Sequence, residues 1–244
     1  QVRTELGRAA IGSWDSYQLK QTLDAIERAT DEYTRRIQAE VGGQLVELWS
    51  LGQDSVTGPM NEAGIFSGYN ISQSSLDAIS EFTFHKIANV GADAFNKIKS
   101  ELTLGMIGTK TPQQVADAIG GSLKDPGVFK SIAERAEVIT KTELGRTFSI
   151  ASQKRMEQAA KYVPGLVKIW DHAGHPKQAR LSHLAVHGQQ VPVDEPFKLE
   201  DKNGYRLMYP HDPNADISET IKCGCDHVVW KAEWGEIPKK FRDE

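Results

Sequence analysis

The sequence predicts an α+β protein, predominantly helical over its N-terminal two-thirds, with a small C-terminal α+β unit of short strands. Two observations support this division. Up to residue 161, apolar residues recur at helical spacing over long stretches that contain few prolines. Beyond residue 165, short apolar runs alternate with proline and glycine, as is typical of strands joined by turns. We therefore expect a helical accessory region over 1–100, a second helical region over 101–165, and the α+β unit over 166–244.

The first hundred residues predict two helices separated by a loop. Apolar residues fall near helical spacing over 15–41, and Gly42-Gly43 is expected to end that helix. A second apolar run follows. Residues 52–75 are rich in Gly, Ser, Asn and Gln, which favours a long loop. Residues 76–104 return to helical periodicity and predict the second helix.

The middle of the chain predicts two more helices with clear boundary signals. Thr111-Pro112-Gln113-Gln114 has the composition of a capping box with Pro at the first helical position, and Gly120-Gly121 is expected to end the helix that follows. Residues 129–161 have the strongest helical pattern of the chain, and Pro164-Gly165 closes it.

The C-terminal part predicts short elements only. Residues 167–170 have the pattern of a strand, and residues 177–187 that of a short helix. Further short strands are expected near residue 191 and over 205–209 and 228–230.

Composition and charge exclude several function classes. The chain has 244 residues and a net charge of −4, which argues against a protein whose main role is to coat nucleic acid. No apolar stretch is long enough to cross a membrane, so we expect no membrane partner. Residues 130–167 are mildly basic, with seven Lys and Arg against four Asp and Glu. Weak, salt-sensitive contact with DNA is the most that this segment predicts.

Both cysteines and six of the seven histidines lie within residues 172–227. A disulfide between Cys223 and Cys225 would close a very small, strained ring. In a strand, however, residues two apart share a face, and Gly224 lets the backbone fold tightly around an ion. The two thiols are therefore either a pair of metal ligands or buried, reduced groups that pack as small apolar side chains.

A zinc ion bound by two thiolates needs two more ligands, and imidazoles are available in the same window. The first-choice ligand set is Cys223, Cys225, His183 and His211. His187 is in reserve, because on a helix it shares a face with His183 four residues earlier.

The sequence contains no motif that establishes catalysis. It has no G-x-S-x-G, no H-E-x-x-H, no phosphate-binding glycine loop and no dinucleotide fingerprint. A thiolate–imidazole pair of Cys223 with His183 is the remaining route to a hydrolase. We expect no catalytic residues and no small-molecule substrate.

Several short motifs occur in a characteristic order. They are Ile139-Thr140-Lys141-Thr142-Glu143, Trp170, Arg180-x-x-His183, Gly188-Gln189, Phe197, Pro210-x-Asp212-Pro213 and Cys223-x-Cys225. This succession resembles the Mu F-like family of phage head-morphogenesis proteins, the minor head proteins of tailed phages. The resemblance covers roughly residues 100–230. The positions that match best are Arg180, His183, Cys223 and Cys225, whereas the family often has acidic residues where His175 and His187 stand.

The resemblance implies a low-copy structural protein of the procapsid and virion, assembled in the host cytoplasm. Such proteins associate with the portal, and contacts with the major capsid or scaffold protein and with packaged DNA are expected too. They act in head morphogenesis or genome delivery, including DNA ejection, and the resemblance implies no catalytic site. A metal- or thiol-dependent hydrolase and a zinc-stabilised binding module remain as alternatives. We expect residues 1–161 to carry the partner-binding surface.

The motif residues also have simpler interpretations. Glu143 is expected to be a solvated charge on its helix, as most glutamates are. Arg180 and Asp212 are expected to pair and to fix a loop of the small unit. Trp170 and Trp230 are expected in the core.

Overall fold

A computed structural model describes residues 16–65, 72–106, 110, 114–115, 117–119, 131–172, 179–199 and 204–241. Long helices dominate the N-terminal two-thirds, and short antiparallel strands occur only in the C-terminal part of this described chain, which confirms the α+β prediction. The long helices are α1 (Ser16–Glu62), α2 (Gln73–Met106) and α3 (Ile132–Ala160). Within the described residues, none of the helices has the length and apolar character needed to cross a bilayer.

Helix α1 continues through the positions where the sequence suggests that it ends. Gly42 and Gly43 lie inside it, and the predicted loop over 52–75 is wrong for residues 52–62 and 73–75, which are helical. A turn follows at residues 63–64, and residues 66–71 lie outside the described part of the chain.

Gly52 shows the physical reason for this difference. A Cβ at this position would lie 2.5 Å from the backbone oxygen of Phe148 and 2.8 Å from the Cβ of Ala151, both in α3. The glycine therefore allows two helices to approach closely, and it does not end the first one. Polar residues of the same stretch contribute to the contact, since the Thr57 hydroxyl accepts a hydrogen bond from Arg155 of α3 at 2.9 Å.

The predicted helices of the middle region are confirmed within the described residues, whereas the helix predicted over 177–187 is shorter and covers only Leu181–Ala185. Helices α2 and α3 match the predicted stretches 76–104 and 129–161 to within three residues at each end. Residues 114–115 and 117–119 are helical, while the capping residues 111–113 and the glycines at 120–121 lie outside the described part.

The C-terminal strands that the structure describes form two small antiparallel sheets. Strand β1 (Val167–His172) is central in the first sheet, between β2 (Gln190–Pro192) and β5 (Cys225–Trp230). The register pairs Trp170 with His227 and His172 with Cys225. The second sheet pairs β3 (Phe197–Lys198) with β4 (Arg206–Leu207). Two very short helices, α4 (Leu181–Ala185) and α5 (Ile217–Thr220), lie between the strands in sequence.

The chain divides into two compact units. The first contains Gln1–Gly42 and Glu81–Thr140, and the second contains Gly43–Ser80 and Lys141–Glu244. The first has a core of Ile26, Ile98, Leu102, Val115 and Ile119. The domain boundaries at residues 100 and 165 stay a prediction.

Among the described residues, two apolar clusters contribute to the core of the second unit. One joins Val56 and Met60 of α1 and Met156 and Ala159 of α3 to side chains of the C-terminal part, namely Val163, Leu166, Val193 and Val229. The other contains Trp170, Val186, Val191, Phe197, Leu199, Leu207 and Cys225. The small α+β unit therefore depends on the long helices for part of its core, and Trp170 is fully buried as predicted.

Candidate metal centre

The two cysteine sulfurs face one ring nitrogen of His183. The Sγ atoms of Cys223 and Cys225 lie 3.5 and 3.4 Å from His183 Nδ1. One ligand atom from each of the three residues lies within 4.8 Å of the other two, and this group can hold a metal ion. Both cysteines are free thiols. Cys225 and His183 are buried, and Cys223 is half-buried.

Local backbone geometry brings the two sulfurs to the same side. Cys225 is the first residue of β5. Cys223 lies between α5 and β5, and Lys222 immediately before it has a left-handed φ of 52°. The Cys225 N–H donates to the Cys223 sulfur at 3.4 Å, so the chain turns around that atom. The two sulfurs do lie on one side, but the predicted reason, a shared face of one strand, is wrong because Cys223 lies outside β5.

The second ring nitrogen of His183 meets a carboxylate. His183 Nε2 lies 2.9 Å from Oε2 of Glu219, which is buried in α5. A carboxylate can only accept, so Nε2 carries the hydrogen, and in the neutral ring Nδ1 then presents its lone pair to the sulfurs. Histidine ligands of metals commonly have such a carboxylate behind them.

Aromatic side chains pack against the site on the side of the sheet. The Trp170 ring meets His183 edge-on at 5.3 Å and Phe197 at 5.2 Å between ring centroids. Cys225 belongs to the same apolar cluster as these two aromatic residues. Because the surroundings are apolar, charges at the thiols interact strongly with their few polar neighbours.

The two thiols differ in acidity. The hydrogen bond with Cys225 lowers the pKa of Cys223, against the opposing effect of its burial. Its interaction with Cys223, together with burial, raises the pKa of Cys225. A pair that shares one proton is the expected metal-free state, and a metal ion would replace that shared proton.

Arg180 holds the segment that carries Glu219. Its guanidinium donates to the backbone oxygens of Ser218 and Ile221, at 2.5 and 2.6 Å. The expected pairing of Arg180 with Asp212 is therefore wrong. The Asp212 carboxylate accepts instead from the backbone N–H groups of Met208 and Asn214, both at 2.9 Å, and so stabilises the P-x-D-P turn.

His211, the predicted fourth ligand, lies outside the group of three. Its ring packs against Gly145 of α3, where a Cβ would lie 2.7 Å from His211 Nε2. Its Nδ1 is buried and has no hydrogen-bond partner among the described residues. Burial lowers the pKa of His211, so the ring is held neutral and a lone pair remains available on one nitrogen.

His187, the reserve ligand, is also outside the group. The sequence predicted that His187 shares a helical face with His183. This prediction is wrong, because helix α4 ends at Ala185. Its Nδ1 accepts from the His172 N–H at 3.0 Å, and its Nε2 lies 2.5 Å from the Lys240 oxygen.

Glu143 is not a solvated charge, which corrects the simpler interpretation. It is 1% exposed, and both of its carboxylate oxygens accept from Arg146 Nη1 at 2.6 to 2.7 Å. Arg146 Nε donates to the His211 oxygen at 3.0 Å. The Thr-Glu helix of the motif is thus tied to the P-x-D-P turn by a buried ion pair.

The Gly-Gln motif also has a structural role. Gly188 has a φ of 79°, and a Cβ on it would lie 2.7 Å from the Phe241 oxygen, so only glycine fits. The Gln189 side chain bonds both backbone groups of Lys198, which links β2 to β3.

Glu219 is a residue of the site that the sequence did not predict. The signal was present in Asp216-Ile-Ser-Glu219, because Asp followed three residues later by Glu is the composition of a capping box. The Asp216 side chain does cap α5 by accepting from the Ser218 N–H. The sequence alone did not indicate that the glutamate would reach His183.

No family model, curated protein or solved structure matches the chain. The resemblance to Mu F-like proteins therefore stays a prediction.

Proposed function

We propose that the chain is a minor head protein of a tailed phage, a non-catalytic component of the virion that associates with the portal during head morphogenesis or genome delivery. One observation carries the proposal. Motif positions that are far apart in the sequence, and that give the resemblance, meet in one compact unit and stabilise it. Arg180 clamps α5, Gln189 links two strands, and Glu143 reaches the P-x-D-P turn through Arg146.

These contacts favour a structural role because most of them end on the protein backbone. Arg180, Gln189 and Asp212 all bond main-chain groups, in α5, in β3 and in the P-x-D-P turn. A catalytic centre instead directs its polar groups toward a substrate. The ordered motif set is thus best understood as the set of residues that holds this fold together.

We further propose that the metal is zinc. Two thiolates and an imidazole suit zinc, and thiolates are poor ligands for magnesium or calcium. His211 remains the candidate for the fourth ligand because its buried Nδ1 has no hydrogen-bond partner in the described structure. The ion would join α4 to the start of β5 and would stabilise a unit whose own core is small.

Elemental analysis of the purified full-length chain tests the zinc proposal. We expect close to one equivalent of zinc, and we expect a strong chelator to lower the melting temperature. A protein purified under metal-replete, reducing conditions that contains no zinc would overturn this part of the proposal and leave the minor-head proposal standing.

The partner-binding surface is proposed to lie on the helical part of the chain. The mildly basic helix offers less to DNA than its sequence suggests, because Arg146 and Arg155 are buried and bond protein groups. Portal contact is therefore the stronger proposal. A fragment over 162–244 is a poor test, because Val56 and Met156 of the long helices complete its core.

The test uses the full-length chain, co-expressed with the portal protein encoded in the same genome. Val46→Ser/Leu51→Ser alters exposed apolar residues of α1, and Leu181→Ser/Ile217→Ser is the matched pair in the C-terminal part. We expect the first pair to weaken co-purification with the portal and the second to leave it unchanged. The opposite result would assign the portal-binding surface to the C-terminal part. Absence of portal binding by the wild type would overturn the minor-head function.

A second candidate function has one specific observation in its favour. Cys223, His183 and Glu219 form a nucleophile, base and orienting carboxylate in hydrogen-bonding sequence, as in thiol hydrolases. Two thiols that face the same imidazole nitrogen fit a metal site better than a hydrolase, because a hydrolase needs a single nucleophile. Sustained turnover of an activated ester that Cys223→Ser abolishes would favour the hydrolase.

A further inference from the structure

His183 has both ring nitrogens engaged by groups of different chemistry. Nδ1 faces two sulfurs at 3.4 and 3.5 Å, and Nε2 faces the Glu219 carboxylate at 2.9 Å. The ring is 2% exposed and meets Trp170 edge to face, so it is closely packed. A flip of the ring would place Nε2–H against the sulfurs and Nδ1 against a carboxylate that has no hydrogen to donate.

We propose that Glu219 is the positioning residue of the metal centre: it holds the Nε2 hydrogen of His183 and so makes Nδ1 the metal-binding atom. This inference rests on the proposed zinc site and adds a residue that does not contact the ion.

Glu219 is itself held on several sides. The hydroxyls of Ser182 and Ser218 each lie 3.5 Å from one of its carboxylate oxygens. Asp216 caps the four-residue helix on which it stands, and Arg180 bonds the backbone on both sides of it, at Ser218 and Ile221. The carboxylate is thus fixed by residues of α4 and α5 before any ion binds.

The arrangement has a chemical consequence for the ion. A carboxylate behind an imidazole makes the metal-binding nitrogen more electron-rich and keeps the ring in one tautomer and one orientation. Without it, the ring must be reoriented and the tautomer selected when the metal binds, and that cost reduces affinity. The loss expected for such a partner is about 10- to 100-fold in metal affinity.

The arrangement also explains why His183 is the ligand and not His187. Both nitrogens of His187 meet backbone groups, one an N–H and the other a carbonyl oxygen. Among the histidines that the structure describes, His183 is the one that combines a carboxylate behind the ring with two sulfurs in front of it.

The experiment measures the Zn²⁺ affinity of the full-length reduced protein by competition with a chromophoric chelator. Glu219→Leu removes the acceptor, whereas Glu219→Gln keeps a neutral oxygen that can accept from Nε2–H. Glu195→Gln, at an exposed turn between β2 and β3, is the matched control. We expect a 10- to 100-fold loss for Glu219→Leu, a smaller loss for Glu219→Gln, and no change for Glu195→Gln.

Two further measurements separate positioning from simple loss of structure. Substitution with Co²⁺ should give the same thiolate-to-metal absorption in all the variants, because both cysteines still bind. In the metal-loaded wild type, nitrogen chemical shifts of His183 should show a hydrogen on Nε2 and the metal on Nδ1.

Each outcome decides the proposal. Wild-type affinity in Glu219→Leu, or a metal on Nε2, would overturn the role of Glu219 while the zinc site stands. Failure of the wild type to bind Zn²⁺ or Co²⁺ would overturn both the zinc site and this inference. Partial retention of affinity in Glu219→Gln, with intact cobalt spectra throughout, would support it.

Discussion

Replacement of Gly52 by alanine should destabilise the protein, although alanine is the better helix former. Gly52 lies inside α1 and its Cα faces α3. A Cβ there would lie 2.5 Å from the Phe148 oxygen and 2.8 Å from the Ala151 Cβ, whereas carbon contacts are favourable at about 3.5–4.0 Å. The atoms in the way are backbone oxygen and a short side chain, so no flexible group can move aside and the helices must separate.

The magnitude follows from three contributions. The gain in helix propensity is about 1 kcal/mol. Overpacking of this kind costs about 1–3 kcal/mol. Separation of the helices also weakens the Ser55–Ser152 contact at 3.3 Å and the Arg155–Thr57 bond at 2.9 Å, at about 1 kcal/mol each. We expect a net loss of about 2–4 kcal/mol in the free energy of unfolding.

Gly58→Ala is the matched control in the same helix. A Cβ on Gly58 would meet nothing within 4 Å, so the substitution should stabilise by up to about 1 kcal/mol. Urea unfolding followed by circular dichroism would measure both variants against the wild type. If Gly52→Ala were as stable as Gly58→Ala, the close approach of α1 and α3 would be wrong.

Three further predictions follow from buried polar groups. Cys223→Ser should lower the melting temperature and abolish the effect of a chelator on it, without loss of any turnover, as thermal scans with and without chelator would show. Burial lowers the pKa of Lys168 to about 8, below its ordinary value of 10.5, so the unfolded chain binds more protons between these two values. Stability should therefore rise with pH across that window, by at most about 1.4 kcal/mol per pH unit, and Lys168→Met should remove this rise in unfolding titrations. Arg146→Ala should cost about 3–5 kcal/mol because it leaves the buried Glu143 carboxylate without its guanidinium, and the double variant Glu143→Leu/Arg146→Met should recover most of that loss in the same assay.

The long helices and the strands could be predicted from the sequence because their signals are local. Apolar periodicity predicted α2 and α3. The short apolar runs separated by proline and glycine after residue 165 predicted the strands of the small unit. The same local rules failed in α1, where glycine and polar residues were interpreted as a loop. Gly52 is used there for close packing, and that use depends on a helix about a hundred residues away in the sequence.

Part of the candidate site could also be predicted, for the same reason. Cys223 and Cys225 are two residues apart with a glycine between them, and this short separation keeps the two sulfurs close together in the turn before β5. The involvement of His183 was expected from the residue types and from the resemblance. Lys168 shows the limit of this reasoning, since a lysine in a strand is ordinarily exposed, yet here its amine is fully buried and bonds the Met208 oxygen at 2.7 Å.

The sequence by itself determined the helices of the middle region, the α+β character of the C-terminal unit and the pairing of the two thiols, because each depends on the chain's own periodicity over a few residues. Only the tertiary structure decided which imidazole faces the thiols. His183 does so and His187 does not, because α4 ends at Ala185. Tertiary packing also placed Glu219 behind His183, at 2.9 Å across 36 residues of chain. Contacts of this kind depend on how separate elements pack, and no local pattern encodes that packing.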